Sequence, residues 1–326
     1  MTFRELGPED DARWNSFVDR APDGTIFHST RWLSAIGVPA ARFGLFAGDE
    51  LAAGIVVRET RLGPLRMASN LPLSPYAGVL CGARDGKGVT LRSARKELVG
   101  EAASFLQGRF AGVALSMPPS IADVQPFQWA GYRATLRYTY LADLSEVDRC
   151  WDEMDPSRRR NIRKAEKDGV EARPEWDPAT LLRLVRTTYA RQGREPGFLH
   201  VARRLCDGLE AGRDGEIIIT RGSDGAALAA ALIVWDQQRA YYLLGGVDHE
   251  QGISTGMAVA LWSGMRAAAA RGIREFDFEG SSVPAIERFF RKFGGALVPR
   301  YEVRWEKTAL RPLLNARRFL RGRASQ

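Results

Sequence analysis

The chain has 326 residues, of which 45% are hydrophobic, and its formal net charge is +8. This length and this hydrophobic content are sufficient for two globular cores, and they exclude a disordered chain. The longest apolar run, residues 226–235, is too short to span a bilayer. The polar, acidic first residues predict no signal peptide and therefore a cytoplasmic protein, with peripheral contact at the inner membrane face as an alternative.

Cysteine and histidine are scattered along the sequence. The three cysteines, Cys81, Cys150 and Cys206, lack C-x-x-C spacing, and the three histidines are equally far apart. The pattern predicts buried thiols without a catalytic role and no metal centre.

An internal repeat organises the predicted elements. In the first half they follow in this order: a strand, turn and strand over 43–60, a helix over 90–107, a strand over 113–117, a short helix over 121–129 and a strand over 132–141. The second half repeats the order with a strand, turn and strand over 216–238, a helix over 255–271, a strand over 276–281, a basic helix over 286–295 and a strand over 298–303. The repeat predicts two copies of a mixed α/β unit of about 150 residues each, joined near residues 142–148.

Positive charge is concentrated in two segments. Residues 157–170 place six cations on a predicted helix that Gly169 ends, and residues 310–323 carry five more beside apolar side chains. Each segment is interpreted either as a solvated helix face or as a surface for tRNA phosphates, a nucleotide diphosphate or an anionic membrane. No recognition helix or zinc finger indicates DNA binding.

The basic helix and the two closing motifs carry a family resemblance. The sequences RRNIRKAEKDGV (159–170), FDFEGS (276–281) and FFRKFGG (289–295), taken with the repeat, resemble the FemAB-like branch of the GNAT acyltransferases. The resemblance implies an α/β (α+β) fold with two tandem GNAT-like domains, at 1–145 and 146–307, and a C-terminal helix at about 308–326 that packs back on the first domain.

The resemblance also implies substrate-binding residues. Arg191, in the T-x-x-x-R segment 187–191, corresponds to an arginine that holds substrate phosphates, and a guanidinium suits that contact. The F-x-S-x-x-W motif ends at Trp32, although the lysine that follows this motif in nucleotide-using members is absent here. Tyr76 lies in a segment similar to the family's first-domain substrate loop. A helix-end arginine and a structural tyrosine are the alternative interpretations.

The transfer site is expected where two central strands of the second domain separate. In GNAT folds the separated strands present backbone N–H groups to the acyl oxygen, and by resemblance this point lies between residues 241–247 and 275–279. Gly245 and Gly246 suit a β-bulge there, with a strand-end turn as the alternative.

The expected catalytic side chains come from the closing motifs. Asp277 and Glu279 alternate with phenylalanines, so they are expected on one face of a strand as proton acceptors, or else as outward-facing polar residues. Many family members have a lysine where this chain has Phe290, which is expected to pack the helix on the sheet. Arg291 and Lys292 are the candidates to replace that lysine.

The leading hypothesis is a transferase that moves an aminoacyl or acyl group to an amine of a cell-envelope, peptidoglycan-type or secondary-metabolite precursor. The expected donor is aminoacyl-tRNA, because the loop 249–256 lacks the spacing of a standard coenzyme A loop, with acetyl-CoA or another acyl-CoA as the alternative. No tightly bound cofactor and an anionic small-molecule or lipid-linked acceptor are expected. A non-catalytic protein that binds RNA or membranes is a further alternative. For tRNA or another anion, the candidate residues are Arg159, Arg163, Lys164 and Lys167.

Overall fold

A computed structural model describes residues 2–82, 87–248, 255–280 and 282–308 of the chain. The strands are β1 Phe3–Glu5, β2 Ala41–Ala47, β3 Glu50–Leu62, β4 Leu65–Ser69, β5 Val79–Cys81, β6 Gly112–Ser116, β7 Arg133–Asp143, β8 Glu171–Pro174, β9 Gly215–Arg221, β10 Ala227–Trp235, β11 Arg239–Val247, β12 Glu275–Asp277 and β13 Ala296–Glu306. The α-helices are α1 Asp11–Arg20, α2 Thr30–Ile36, α3 Gly88–Arg109, α4 Gln125–Trp129, α5 Val147–Glu153, α6 Pro156–Lys167, α7 Pro178–Ala190, α8 Leu199–Gly208, α9 Thr255–Ala270 and α10 Pro284–Arg291. This mixture of sheet and flanking helices confirms the predicted α/β fold class.

The chain divides into two units. The first contains Met1–Gly24, Val38–Leu136 and the described residues from Arg300 onward, and the second contains Thr25–Gly37 and Arg137–Pro299. This division differs from the boundaries predicted at 1–145 and 146–307, since α2 belongs to the second unit and β7 and β13 each change unit within the strand. Apart from Thr308, the predicted C-terminal helix lies outside the described residues.

Each unit completes its sheet with the strand that follows the short helix of the other repeat. In the second unit, Leu141–Asp143 of β7 pairs antiparallel with β12. In the first unit, Glu302–Glu306 of β13 pairs antiparallel with β6. The two repeats have therefore exchanged their last strands.

The core of the second unit lies between its sheet and α9. Strand β10 is an uninterrupted apolar run. Such a strand needs cover, and both α9 and α7 pack on it. Ten residues of α9 are buried, including Met257, Leu261 and Met265. In the first unit, α3 buries Leu98, Ala102 and Leu106 in the corresponding core.

Local caps fix where the helices of the second unit begin. The Ser29 hydroxyl accepts a hydrogen bond from the amide of Trp32 at the start of α2. Asp155 and Asp177 cap α6 and α7, and each precedes a proline, which has no amide hydrogen to satisfy. Among the described residues, no helix is both long enough and apolar enough to cross a bilayer.

Helix α7 approaches the backbone of β11 at Gly246. A Cβ atom at this position would collide with backbone atoms of Leu184 and Val185 in α7. The hydroxyl of Thr188 in the same helix accepts a hydrogen bond of 3.0 Å from the amide of Val247. The glycine therefore lets the helix close over the end of the strand.

We expect Gly246→Ala to destabilise the protein by about 1–3 kcal/mol or more, because the new methyl group overpacks backbone atoms that cannot rotate away. Gly108→Ala in α3 is the matched control, since nothing lies within 4 Å of its added methyl group and alanine favours a helix by about 0.5–1 kcal/mol. Urea unfolding of both variants measures the difference. Equal midpoints would show that α7 can move away from the strand.

Candidate acyl-transfer site

The strands β11 and β12 form a fork in the second unit. They pair in parallel only at Arg239 with Glu275, Ala240 with Phe276 and Tyr241 with Asp277. Strand β11 continues to Val247, and no described strand pairs with this edge of it beyond Tyr241. The separation that the sequence predicted between 241–247 and 275–279 is confirmed.

A β-bulge lies at Leu243, on the opposite edge of β11. Opposite β10, Leu244 faces Leu232 and Tyr242 faces Ile233, so Leu243 is the additional residue. The expectation of a bulge at the glycine pair was wrong, because Gly245 and Gly246 stay in regular register with Ala231 and Ala230. Instead, the absent side chains make room for Tyr242 and Met257 at Gly245, and for α7 at Gly246.

Asp277 organises the turn at the end of β12. Its carboxylate is fully buried and accepts hydrogen bonds from the hydroxyl of Thr139, at 2.5 Å, and from the amide of Glu279, at 2.7 Å. Glu279 has a φ of 57° and Gly280 a φ of 66°, so the extended chain ends here. Asp277 and Glu279 therefore do not alternate along one strand face as predicted, and Asp277 has the contacts of a structural residue.

Glu279 lies near Tyr242, the first residue of β11 beyond the paired segment. Burial raises the pKa of the Tyr242 hydroxyl, and the charges of Glu279 and Tyr189 raise it further. The ring of Tyr242 packs against that of Phe290, with centroids 5.8 Å apart. The arrangement brings a carboxylate and a phenol that stays protonated to the same fork.

The three residues at the family's lysine segment have structural contacts. Phe290 is buried among Tyr242, Phe278 and Phe289, which confirms that it packs the helix on the sheet. The side chain of Arg291 is exposed and pairs with Glu287 at 3.6 Å. Lys292 donates a hydrogen bond of 2.9 Å to the hydroxyl of Ser157, at the start of α6. These contacts direct neither cation to the Tyr242 side of the fork.

A partly buried polar network, which the sequence did not indicate, holds the base of the fork. Arg239 binds the carboxylate of Glu275 across the first residue pair through two of its nitrogens. Asp236 accepts hydrogen bonds from the hydroxyl of Tyr241, at 2.9 Å, and from the amide of Ile26, at 3.1 Å. The acidic and basic residues flanking an apolar strand were the available signal, but their partners are far away in sequence.

The F-x-S-x-x-W motif is part of this support. Trp32 is fully buried, and its ring meets that of Phe27 edge to face at 4.9 Å. Phe27 in turn packs on Tyr241 at 4.8 Å, and Ser29 caps α2. These contacts place Trp32 in the packed interior of the second unit, and substrate contact by its ring remains a prediction.

The predicted substrate residues Arg191 and Tyr76 lie in different units. Arg191 follows α7 in the second unit, where its side chain is exposed and forms no hydrogen bond or ion pair with the described residues. Tyr76 is fully buried in the first unit. Substrate contact remains a prediction for both.

The basic helix α6 has an inner and an outer face. Arg158 points inward, with its guanidinium carbon 4.2 Å and 4.7 Å from the ring centroids of Phe289 and Phe293, and burial lowers its pKa to about 10. Arg159 pairs with Asp152 at 3.4 Å, and Arg163 lies over the ring of Trp151. Arg160, Lys164 and Lys167 are exposed and have no ion-pair partner among the described residues. These three form the outer basic face of α6.

The structure reveals no metal centre within the described ranges, where no group of three or more potential ligands meets. Most of the loop 249–256, which lacks the spacing of a standard coenzyme A loop, lies outside the described residues. Any cofactor assignment therefore depends on the fork itself.

Residues 156–291 match the family model of the acetyltransferase (GNAT) domain. The second unit thus carries a GNAT domain, and the predicted acyltransferase class is confirmed at this level. No curated protein matches the sequence.

Three solved structures share the fold over nearly the whole chain. FemX has a TM-score of 0.65 at 14% identity, with 92% of this chain and 97% of FemX covered. The C-terminal domain of a putative lysylphosphatidylglycerol synthetase from Agrobacterium fabrum has a TM-score of 0.59 at 16% identity, with 94% and 95% covered. A tandem GNAT protein from the clavulanic acid biosynthesis pathway has a TM-score of 0.52 at 11% identity, with 93% and 97% covered. These likenesses confirm the predicted tandem GNAT fold.

His28, in the segment that supports β11, should make stability depend on pH. Complete burial lowers the pKa of His28 from 6.5 to about 3, so only the unfolded chain gains a proton between these values and stability falls as pH decreases through that window. We expect His28→Gln to remove this contribution, on the order of a few kcal/mol.

Urea unfolding at pH 7 and pH 4.5 measures this contribution as the difference between wild type and variant. On lowering the pH from 7 to 4.5, the wild type should lose more unfolding free energy than His28→Gln. His200→Gln, at an exposed histidine, is the control and should change little. A constant difference between wild type and His28→Gln at the two pH values would contradict the assignment.

Proposed function

We propose that the fork between β11 and β12 is the site of acyl transfer to an amine, and that the donor is an aminoacyl-tRNA. The observation that carries the proposal is the end of strand pairing after Tyr241 and Asp277. Beyond that point an edge of β11 is open to a ligand, and backbone N–H groups at such an edge can stabilise an oxyanion. The GNAT domain at 156–291 supports this use of the fork.

Glu279 and Tyr242 supply the proton transfers in this mechanism. The amine nitrogen attacks the carbonyl carbon of the acyl ester, and the Glu279 carboxylate accepts the proton that the nitrogen loses. As the tetrahedral intermediate collapses, the bond to the leaving oxygen breaks and the Tyr242 hydroxyl donates a proton to that oxygen. Burial and the charge of Glu279 raise the pKa of Tyr242, so the phenol stays protonated until the strongly basic leaving alkoxide takes its proton, and Glu279 can then return a proton to it.

The donor assignment rests on the outer basic face of α6. Arg160, Lys164 and Lys167 keep their charge exposed, whereas Arg158 is held by aromatic rings. A row of exposed cations suits the sugar–phosphate backbone of a tRNA, which carries one negative charge per phosphate. We further propose that the acceptor is an amine of a cell-envelope or secondary-metabolite precursor.

Acyl-CoA is the second candidate donor, and the acetyltransferase description of the matching domain favours it. The leaving group would then be a thiolate, a weaker base than an alkoxide, which takes the proton that Glu279 accepted from the amine. The two donors differ in charge distribution, so salt dependence separates them.

Replacing the proposed base should slow transfer without unfolding the protein. We expect Glu279→Gln to lower kcat by about 100- to 10,000-fold, the usual contribution of general base catalysis, and to abolish the acidic limb of the pH–rate profile. Glu153→Gln, at an exposed residue paired with Arg149 on α5, is the control. Transfer of a labelled acyl group from tRNA and from acetyl-CoA to a panel of amines measures the rates. A Glu279→Gln variant with wild-type kcat would exclude Glu279 as the base.

The donor can be tested by binding. With charged tRNA, the combined variant Arg160→Gln, Lys164→Gln and Lys167→Gln should reduce the slope of log affinity against log salt by about 2–3, because each phosphate contact contributes about 0.7–0.9. Neutralising Arg173, Arg203 and Arg213, which are exposed and already paired with acidic residues, provides a matched control with the same change in net charge. An equal effect of both variants would falsify a specific role for α6. Binding of acetyl-CoA that neither variant weakens and tRNA does not compete would favour the second candidate.

A further inference from the structure

The first unit contains a second parallel fork, which its own chain fills. Strands β4 and β6 pair at Met67 with Gly112, Ala68 with Val113 and Ser69 with Ala114. Directly after β4, the side-chain oxygen of Asn70 accepts a hydrogen bond of 2.9 Å from the amide of Ser116. The side-chain amide of Asn70 also donates to the carbonyl of Ser74 at 3.1 Å. The loop 70–77 therefore occupies the position that is open in the second unit.

Arg300 of β13 lies against this loop without a hydrogen-bonding partner. Its guanidinium carbon is 5.6 Å from the centroid of the Tyr76 ring. Its Nε and Nη1 atoms are enclosed and form no hydrogen bond, and Arg300 has no ion pair with any residue the structure describes. Contact with a ring face leaves the N–H groups in the guanidinium plane unsatisfied, which is costly when they are enclosed.

Three other arginines also have an enclosed nitrogen without a partner, but their remaining nitrogens are bound. Arg42 pairs with Asp11 at 2.5 Å, Arg109 pairs with Glu5 and Glu59, and Arg158 donates to the carbonyl of Phe289 at 3.0 Å. Within the described chain, Arg300 is the one member of this group with no bound nitrogen at all. The described residues therefore leave the guanidinium of Arg300 available to a further partner.

We propose that Arg300 and the loop 70–77 form an oxyanion-binding site in the first unit, which takes a carboxylate or phosphate group of a small molecule. The Nη2 atom is not among the enclosed nitrogens, so an anion can approach it and accept a charge-assisted hydrogen bond. Tyr76 supports one face of the guanidinium and so fixes its plane. The site lies beyond the carboxyl ends of parallel strands, where α/β sheets bind ligands. The proposal is independent of the reaction at the second fork.

Titration with inorganic phosphate and, separately, with acetate at constant ionic strength tests this site. Isothermal calorimetry and the side-chain N–H resonances of arginine report binding. We expect saturable binding by wild type and by Arg304→Gln, whose arginine lies on the same strand, is partly exposed and pairs with Glu302 at 3.7 Å. Binding by Arg300→Gln should be about 10- to 100-fold weaker, the effect of losing a charge-assisted hydrogen bond. The stronger of the two probes identifies the class of group that is bound.

Without ligand, Arg300→Gln should keep or raise the melting temperature, because it removes a partly enclosed cation that has no counter-charge. A lowered melting temperature or a failure to fold would assign Arg300 a structural role and overturn the proposal. Equal anion affinity of wild type and Arg300→Gln, or no saturable binding of either probe by wild type, would overturn it as well.

Discussion

The separation of β11 from β12 depends on how the two ends of a three-residue parallel pair are held. At the base, Arg239 joins the strands through Glu275. At the other end, Asp277 turns the chain away from the sheet by accepting hydrogen bonds from Thr139 and from the amide of Glu279. A buried carboxylate is unfavourable unless it is hydrogen-bonded, so Asp277 favours a backbone path that brings both donors to its Oδ1 atom. The open edge of β11 is therefore a consequence of polar groups buried beside it.

This constraint also explains the unusual backbone of Glu279. A positive φ is uncommon for a glutamate, and it persists here because Asp277 binds its amide and because Gly280 lets the turn lie against β7, where the Cα of Thr139 would be 2.9 Å from any added Cβ atom. The turn directs Glu279 towards Tyr242 instead of along the strand. A side chain that appears from its spacing to be an ordinary strand residue thus becomes part of the fork.

The sequence predicted the elements better than their partners. Alternating and helical spacing located both repeats, since these patterns reflect burial within a few consecutive residues, whereas the position of the fork came from the resemblance to the FemAB-like branch of the GNAT acyltransferases. The exchange of β7 and β13 was not predictable, because each strand has the same pattern whichever unit it completes. Arg158 shows the same limit at one residue: it was counted with its cationic neighbours, yet its position places it on the apolar face with Ile162, where Phe289 and Phe293 surround it. The bulge at Leu243 had no signal, as it follows from register and not from glycine.

Both units contain a fork that begins with a three-residue parallel pair, but only the fork of the second unit is open. In the second unit, the strand that follows the fork ends in a turn held from within, which leaves the edge of β11 open. In the first unit, Asn70 binds the amide of Ser116 in β6, the strand that corresponds to β12, and the loop that begins at Asn70 fills the fork. A fork filled by its own chain has no free edge to present to an acyl oxygen, whereas the loop places Tyr76 against Arg300. The same geometry can therefore serve chemistry in one repeat and recognition in the other.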